Sequence, residues 1–559
     1  MLTTTFLRSA GRLAPLLLAT ALLTAGAAGC DRREEPARPD GQAAQAAETP
    51  RRGGTIVTGW ISEPNGVNEF IVPSNQPTNE LLHQIFLQLV DERPDFEQHP
   101  PTFAPELARS YEFSPDHKTL TFHLRDDVLW SDGVPVTAED VRFTWQAQTH
   151  PDVAWDNAFM KESITDAEVV DPHTVRFHFS HAYARQMLDV NEGMIIPKHA
   201  WEKLPFAQWR QSREWFKENL VVSGPFTVAS WQPQQQVVLQ RNERYFKKDR
   251  PLLDRVVMRV IPEQSTLMAE LNSGQVDFVA QVGPGDAPSI RANPRLQLYA
   301  YWFSRLTVGV AWNLTREPFS DPEVRRALTL AIDRQSIADT LWGELGRVAS
   351  SPISTGFWGH DRSLRPWPYD PEQAKRILAA RGWKDSDGDG ILDRNGKRFS
   401  FEILSNAGNQ QRIDAGVMIQ EQLKRIGIQV VPRVVEFNTM LEQADAGRFD
   451  AVTSGMTVDT GLDLTSYFHS RSVPPEGINF MRYSNPEVDR LIEQSLKVME
   501  PQAAKPALDR IQQILHQDQP VTFLWESQRL SAASQRLRDA EPNVLRTLYN
   551  VEDWWVREP

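Results

Sequence analysis

A multidomain α/β fold is what this sequence predicts, and three observations predict it. Between residues 399 and 456, apolar residues recur first at strand spacing and then at helix spacing, in the succession expected of a sheet covered by helices. Three helix starts carry one signature: Asp321-Pro322-Glu323, Asp370-Pro371-Glu372 and Asn485-Pro486-Glu487. Each combines an N-cap acceptor, a proline with no N–H to satisfy, and an acid at the positive end of the helix. Finally, the body of the chain, about 500 residues, exceeds what one hydrophobic core serves, so two or three domains are expected.

The first 29 residues hold Arg8 and Arg12, an apolar run at 16–23 and a small-residue stretch ending at Gly29, before Cys30. That run is too short to span a bilayer, so the segment reads as an export signal, residues 1–29. Cys30 is the single cysteine, which excludes a disulfide framework and any thiolate metal site. Ala27-Ala28-Gly29-Cys30 resembles a lipobox, and Asp31 a retention signal for the inner membrane. Two or three acyl chains on Cys30 would anchor the chain to a membrane. Residues 30–52 carry almost no large apolar side chain and are expected to be a flexible tether. The formal net charge of −13 argues against a nucleic-acid partner.

Residues 54–59 read as the opening strand and 79–90 as a helix. At 107–145, Tyr111 and Phe113 alternate, a turn-rich run follows, and then Leu120, Phe122 and Leu124 alternate. This is a β-hairpin with one buried face. An Asp132-Gly133 turn leads to Thr137 and Asp140, a capping-box start for a helix that buries Val141 and Trp145. A strand is expected at 173–179, a hairpin within 221–245, and a helix, glycine stop and strand at 266–278. The alternation at 399–456 argues for a mostly parallel sheet.

The sequence has no H-E-x-x-H, G-x-S-x-G, Walker A or G-x-G-x-x-G run. A triad assembled from distant residues keeps a secreted hydrolase as the second function class. His173, His178 and His181, the densest histidines, read as surface or core residues before a metal site. Asp385, Asp387, Asp389, Ile391 (through its carbonyl) and Asp393 stand at positions 1, 3, 5, 7 and 9 of a calcium loop, with Gly390 at position 6. Position 12 is Gly396 in place of the usual glutamate. The alternative is an Asp-Gly turn followed by a hairpin through Asn395-Gly396, and either role is structural. No other cofactor is expected.

One contiguous segment also carries a resemblance. Leu124-Arg125-x-x-Val128-x-Trp130-Ser131-Asp132-Gly133, followed by Pro135-Val136-Thr137-Ala138-Glu139-Asp140-Val141, resembles the signature of family 5 extracellular solute-binding proteins. These are the oligopeptide, dipeptide and nickel receptors of bacterial ABC importers. Ser223-Gly224-Pro225-Phe226 and residues 266–278 follow in the family's order. The resemblance implies a two-lobed, periplasmic binding protein-like α/β fold with an accessory domain and a ligand cleft between lobes joined by hinge strands. Lobe I would take residues 53–85, 221–305 and 523–559; the accessory domain 86–220; lobe II 306–522. It implies capture of a peptide or peptide-like solute in the periplasm by a lipid-anchored monomer, and delivery to the permease subunits, with no catalysis. Nickel chelates, opines, sugars and antibiotics are the other solutes of such receptors. In the family's G-W-x-x-D segment an aspartate holds the ligand's amino terminus. The matching residues are Gly455, Met456, Thr457 and Asp459, with Met456 replacing the tryptophan and Thr453 standing where some oligopeptide receptors have an arginine. Asp459, Met456, Thr457 and Asn479 are the ligand-binding candidates on this basis.

Overall fold

Side-chain caps start helices where the sequence places them. In the computed structural model, which describes residues 49–557, Asp321 Oδ1 accepts from Glu323 N at 3.0 Å and opens Pro322–Ala331. Asp370 Oδ1 accepts from Gln373 N at 2.8 Å and opens Pro371–Ala380, and Asn485 Oδ1 does the same for Pro486–Lys497, from Glu487 N at 3.0 Å. Each cap satisfies N–H groups with no partner inside the helix. The helix expected at 79–90 instead spans Gln76–Ile85, because Asn75 Oδ1 accepts from Thr78 N at 2.9 Å and fixes an earlier start. Its last expected residue, Val90, begins the strand Val90–Glu92. The export signal, Cys30 and the tether up to residue 48 lie outside the described residues.

Among the described residues, twelve strands form one sheet. Its path runs from the edge strand Gln429–Val435 through Ser400–Asn406, Ala451–Thr457 and Leu306–Trp312 to the long strand Val521–Ser534. From there it continues through Phe278–Val279, Thr55–Trp60, Arg255–Val260 and Gln236–Arg241 to Phe226–Gln232. The long strand belongs to both halves. Its first residues pair with Leu306–Trp312, its middle with Gly346–Val348, and its last with Leu296–Trp302 and Phe278–Val279. A second passage between the halves is the turn 303–305, which joins Leu296–Trp302 to Leu306–Trp312. This is the two-lobed α/β architecture, with each lobe built on one half of the sheet.

The sheet is mixed, which corrects the expectation of a mostly parallel one. Parallel ladders occur where a helix or a longer crossover separates the strands: Thr55–Trp60 beside Arg255–Val260 and Phe278–Val279, and Ser400–Asn406 beside Gln429–Val435 and Ala451–Thr457. Elsewhere a direct hairpin at 226–241 and the returning strand Val521–Ser534 impose antiparallel pairing.

A separate antiparallel sheet orders Ala108–Phe113, Thr119–Leu124, Thr174–Phe179 and Ile164–Asp171. The expected hairpin is there, in the register Tyr111↔Phe122 and Phe113↔Leu120. Leu120, Phe122 and Leu124 are fully buried, but Tyr111 is 39% exposed and Phe113 half-buried, because their strand is the edge of its sheet. The helix Ala138–Thr149 begins with Asp140 Oδ2 accepting from Thr137 N at 2.8 Å, while Oδ1 accepts from Lys198 N at 2.9 Å. Val141 is buried as expected; Trp145 is half-buried. Phe143 takes the deeper position instead, packed 5.5 Å from Phe206 and 6.2 Å from Trp209. One apolar core runs from Ile56 and Phe226 beneath the first half of the large sheet to Phe122 and Trp201, so residues 86–220 are packed onto that half. The second half has a core on each face, around Trp312 and Phe401 on one and Phe449 and Phe468 on the other. No helix among the described residues is long and apolar enough to cross a membrane.

Candidate ligand-binding cleft

A cavity of about 500 Å³ opens where the two sheet halves and the segment 86–220 meet. Thr457, the last residue of Ala451–Thr457, reaches it from the second half, in register with Leu306. Phe303 and Arg305 enter from the passage between halves, where Val458 N donates to Arg305 O at 2.9 Å. Arg529 comes from the long strand, opposite Tyr301. Glu92 ends a short strand, and Glu192 follows the helix Gln186–Asn191. The buried Lys161 holds that helix end by donating from Nζ to the carbonyls of Asp189, Val190 at 3.2 Å and Glu192 at 2.8 Å.

The cavity wall is charged, and most of its charges are already engaged. Glu69 Oε1 accepts from Met194 N at 2.5 Å, and desolvation raises its carboxyl to about 7. Glu80 accepts from Thr547 N and Oγ1, both at 2.6 Å, and from Leu548 N at 2.9 Å. Arg546 pairs with Asp91 at 2.5 Å and donates to His83 Nδ1 at 2.9 Å. Burial first, and then the Arg546 charge, keep that imidazole neutral, well below its usual range. Glu92, Arg305, Arg529 and the exposed Asp156 make no ion pair among the described residues. Glu92 Oε1 is buried with no protein hydrogen-bond partner, and desolvation raises its carboxyl. Among the described residues neither Arg305 nor Arg529 has a carboxylate at ion-pair distance. A concave site with a few convergent polar groups is the usual form of a small-molecule site.

The sequence candidates divide. Thr457 lines the cavity. Asp459 stands two residues on, with Oδ2 accepting from Arg185 Nη1 at 2.6 Å. Arg185 also meets Asp189 at 3.2 Å. Burial alone would raise the Asp459 carboxyl, but the Arg185 charge and hydrogen bond outweigh it and hold it below the ordinary range. Behind this pair lies a second, mainly apolar chamber of about 330 Å³ that includes Tyr111, Phe113, Trp358 and Gly461. That is where the edge-strand aromatics of the hairpin go. Met456 is buried in the core of the second half. Asn479 is fully buried too, its amide donating to His469 O at 3.2 Å and Tyr483 O at 2.8 Å while accepting from Tyr483 N at 3.0 Å. The structure thus brings Thr457 and Asp459 toward the cleft and leaves Met456 and Asn479 in the interior. Arg185, Arg305, Arg529 and Glu92 were not singled out from sequence. They come from separate segments, and no spacing or motif joins them.

In the acidic loop, carboxylate oxygens of Asp385, Asp387 and Asp389 lie within 4.8 Å of one another. Asp389, however, is ion-paired with Arg398. Asp385 accepts from Gly388 N at 2.7 Å and Gly390 N at 2.9 Å, and Asp393 Oδ2 from Ser386 N at 2.9 Å. Asn395 and Gly396, both at positive φ, close the hairpin of Asp393–Arg394 with Lys397–Arg398. The histidines at 173, 178 and 181 form no metal cluster among the described residues; His178 instead meets Glu168 at 2.8 Å.

The family model of the bacterial extracellular solute-binding proteins, family 5, matches residues 102–474. The oligopeptide-binding protein AppA of Bacillus subtilis is 31% identical over 522 residues, 92% of this chain and 94% of that protein. Heme-binding protein A of Haemophilus influenzae is 25% identical over 531 residues, 91% of this chain and 92% of that one. The solved structure of Bacillus subtilis AppA in complex with a nonapeptide superposes with a TM-score of 0.76 at 30% identity, covering 91% of this chain and all of that one. NikZ of Campylobacter jejuni in complex with Ni(L-His) shares the fold, with a TM-score of 0.76 at 22% identity over 90% of this chain and 99% of its own.

Proposed function

Given that this chain belongs to the family 5 bacterial extracellular solute-binding proteins, we propose that it captures a peptide or peptide-like solute between its lobes and presents it to the permease of an ABC importer. The observation that carries the peptide reading is the chemistry of the cleft: a buried carboxylate oxygen on Glu92 without a protein partner, and guanidinium groups on Arg305 and Arg529 without acids, around one cavity. A zwitterion with a free ammonium and a free carboxylate complements such a wall. The lobes we assign are 53–85 with 221–305 and 523–559, and 306–522; residues 86–220 form the accessory domain. Closure is a hinge motion at the two passages between them. The mechanism requires affinity and a closed shape, not bond chemistry.

A second reading, a non-peptide solute such as a metal chelate, is favoured by one observation. Asp459, the residue matched to the family's ammonium anchor, already has a cation in Arg185. Thermal denaturation with a panel of di- to pentapeptides and with nickel–histidine separates the two. A peptide that raises the midpoint as RT ln(1 + [L]/Kd) and is recovered intact supports the first reading. A rise with the chelate alone supports the second, and a consumed peptide means a hydrolase.

For the cellular setting, the family is extracellular, and we infer a monomer tethered to the membrane through lipidated Cys30. Cys30→Ala, exported by a soluble signal, should leave the membrane fraction and keep its ligand. For the loop 385–393, our reading is a self-sufficient turn: Arg398 supplies the charge that calcium would otherwise bring, and position 12 has no carboxylate.

A further inference from the structure

The chamber behind the Arg185–Asp459 pair is built unlike the charged cleft in front of it. It shares no lining residue with that cleft, and its volume of about 330 Å³ lies at the small end of the range for ligand sites, suited to a guest of one or two rings. Tyr111 and Phe113 stand in its wall 6.4 Å apart, edge to face, and the His117 ring stacks 5.1 Å from Phe113. Phe113 packs against the core of the first sheet half, whereas Trp358, in the same wall, belongs to a core of the second.

Two deeply buried side chains that line the chamber each keep a polar atom without a partner. Gln186 is 1% exposed; its amide nitrogen donates to His117 O at 2.7 Å, but its Oε1 accepts from no protein group. Trp358 is 5% exposed, and its indole Nε1 donates to no protein group. Unpaired polar atoms at such depth are rare, because each forfeits its bond to water. Together they offer one acceptor and one donor inside an aromatic wall.

We propose that this chamber is a second binding site, outside the charged cleft, for a hydroxylated aromatic ring: a phenol. The ring packs against Tyr111, Phe113 and His117 in the edge-on or offset arrangements that aromatic groups prefer. Its hydroxyl, donor and acceptor at once, donates to Gln186 Oε1 and accepts from Trp358 Nε1. A bare ring makes the same apolar contacts and leaves both polar atoms unpaired, so the site selects for the hydroxyl. Such a ring arrives either as a free small molecule or as the tyrosine side chain of a solute held in the cleft. Only the second source rests on the receptor reading above.

The test is calorimetry on the purified protein with p-cresol and toluene, which differ by the hydroxyl alone. Wild type should bind p-cresol about tenfold more tightly than toluene. Trp358→Phe, which removes the N–H and keeps an aromatic ring, should remove most of that preference. Leu496→Trp, which adds bulk to the chamber wall from a half-buried helix position, should weaken both probes, and melting midpoints show whether each variant is folded. Titrating p-cresol in the presence of tyrosyl-dialanine separates the sources. Displacement assigns the ring to the solute of the cleft and simultaneous binding assigns it to a separate small molecule; either upholds the site. Binding of p-cresol with no binding of the tripeptide upholds the site and counts against the peptide reading alone. No p-cresol binding, equal binding of the two probes, a preference that survives Trp358→Phe, or p-cresol binding untouched by Leu496→Trp overturns the site and leaves the receptor reading standing.

Discussion

Arg185 Nη1 donates to Asp459 Oδ2 at 2.6 Å and so joins residues 274 apart in the chain, one just before the helix Gln186–Asn191 and one beside the cleft. The guanidinium is nearly buried, and the carboxylate is 35% exposed on its side chain. Partial exposure discounts the pair. A double-mutant cycle of Asp459→Asn and Arg185→Gln should therefore give a coupling of about 1 to 2 kcal/mol in the unfolding of the ligand-free protein. If Asp459 also receives a ligand ammonium, Asp459→Asn should weaken binding about a hundredfold or more. Unchanged affinity together with a measurable coupling would mark the residue as a clasp between remote segments.

The pH dependence of stability should slope downward from acid to neutral. Desolvation raises Glu69 to about 7 and Glu106 to about 8, from an ordinary value of 4.5. Between the ordinary value and the raised one, the folded state holds the proton and the unfolded state has released it. These groups contribute stability that is fully present below pH 4.5 and is lost as pH rises through about 7 and 8. Glu192 and Asp91 reinforce the shifts, while Lys161 and Arg546 oppose them. Glu69→Gln with Glu106→Gln should flatten the profile between pH 5 and 8 by about tenfold or more per site in the unfolding constant. A profile with the wild-type slope would exclude both groups as its source.

The cap at the start of Ala138–Thr149 should matter more through its acid than through its threonine. Asp140 accepts from the backbone of both Thr137 and Lys198. Asp140→Ala leaves two N–H groups without partners and should cost about 2 to 3 kcal/mol. Thr137→Ala should cost less than about 1 kcal/mol, its hydroxyl being 3.3 Å from the Asp140 carboxylate. Trp145→Ala should fall below the roughly 3 to 5 kcal/mol of a fully buried tryptophan. Urea midpoints of the three variants decide the order.

Calcium should leave the protein's melting temperature unchanged. Arg398 already sits against Asp389, and Asp393 is turned to Ser386. Melting in chelator and in millimolar calcium checks this. A rise that is lost in Asp385→Asn would show that the loop binds the ion after all.

What sequence made legible was whatever chemistry acts locally. Caps at Asp321, Asp370 and Asn485 need only their next three residues. The hairpin at 108–124 needs only alternation and a turn, so these elements stand where the spacing puts them. Strand direction follows the local alternation only within 399–457, where the three strands are parallel; in the middle of the sheet it is set by Val521–Ser534, which pairs with segments more than 200 residues earlier. Trp145 lies less deep than its spacing implies, and Phe143 is buried in its place because Phe206 and Trp209, unseen by a helical wheel, cover the second face. The cleft is harder still. Thr457 and Asp459 belong to a contiguous motif, whereas Glu92, Arg305 and Arg529 reach one cavity only after three remote segments meet.

The strand that belongs to both lobes also sets the order of events during synthesis. Leu306–Trp312 and Phe278–Val279 each keep an open edge until residues 521–534 emerge, so neither half can be finished while the ribosome is still making most of the chain. Exposed strand edges invite association with other chains, and truncations ending before residue 521 should aggregate. For a protein destined for the outside of the cell, the same delay is useful. With that strand withheld, neither half of the sheet can close before the last tenth of the chain has been made.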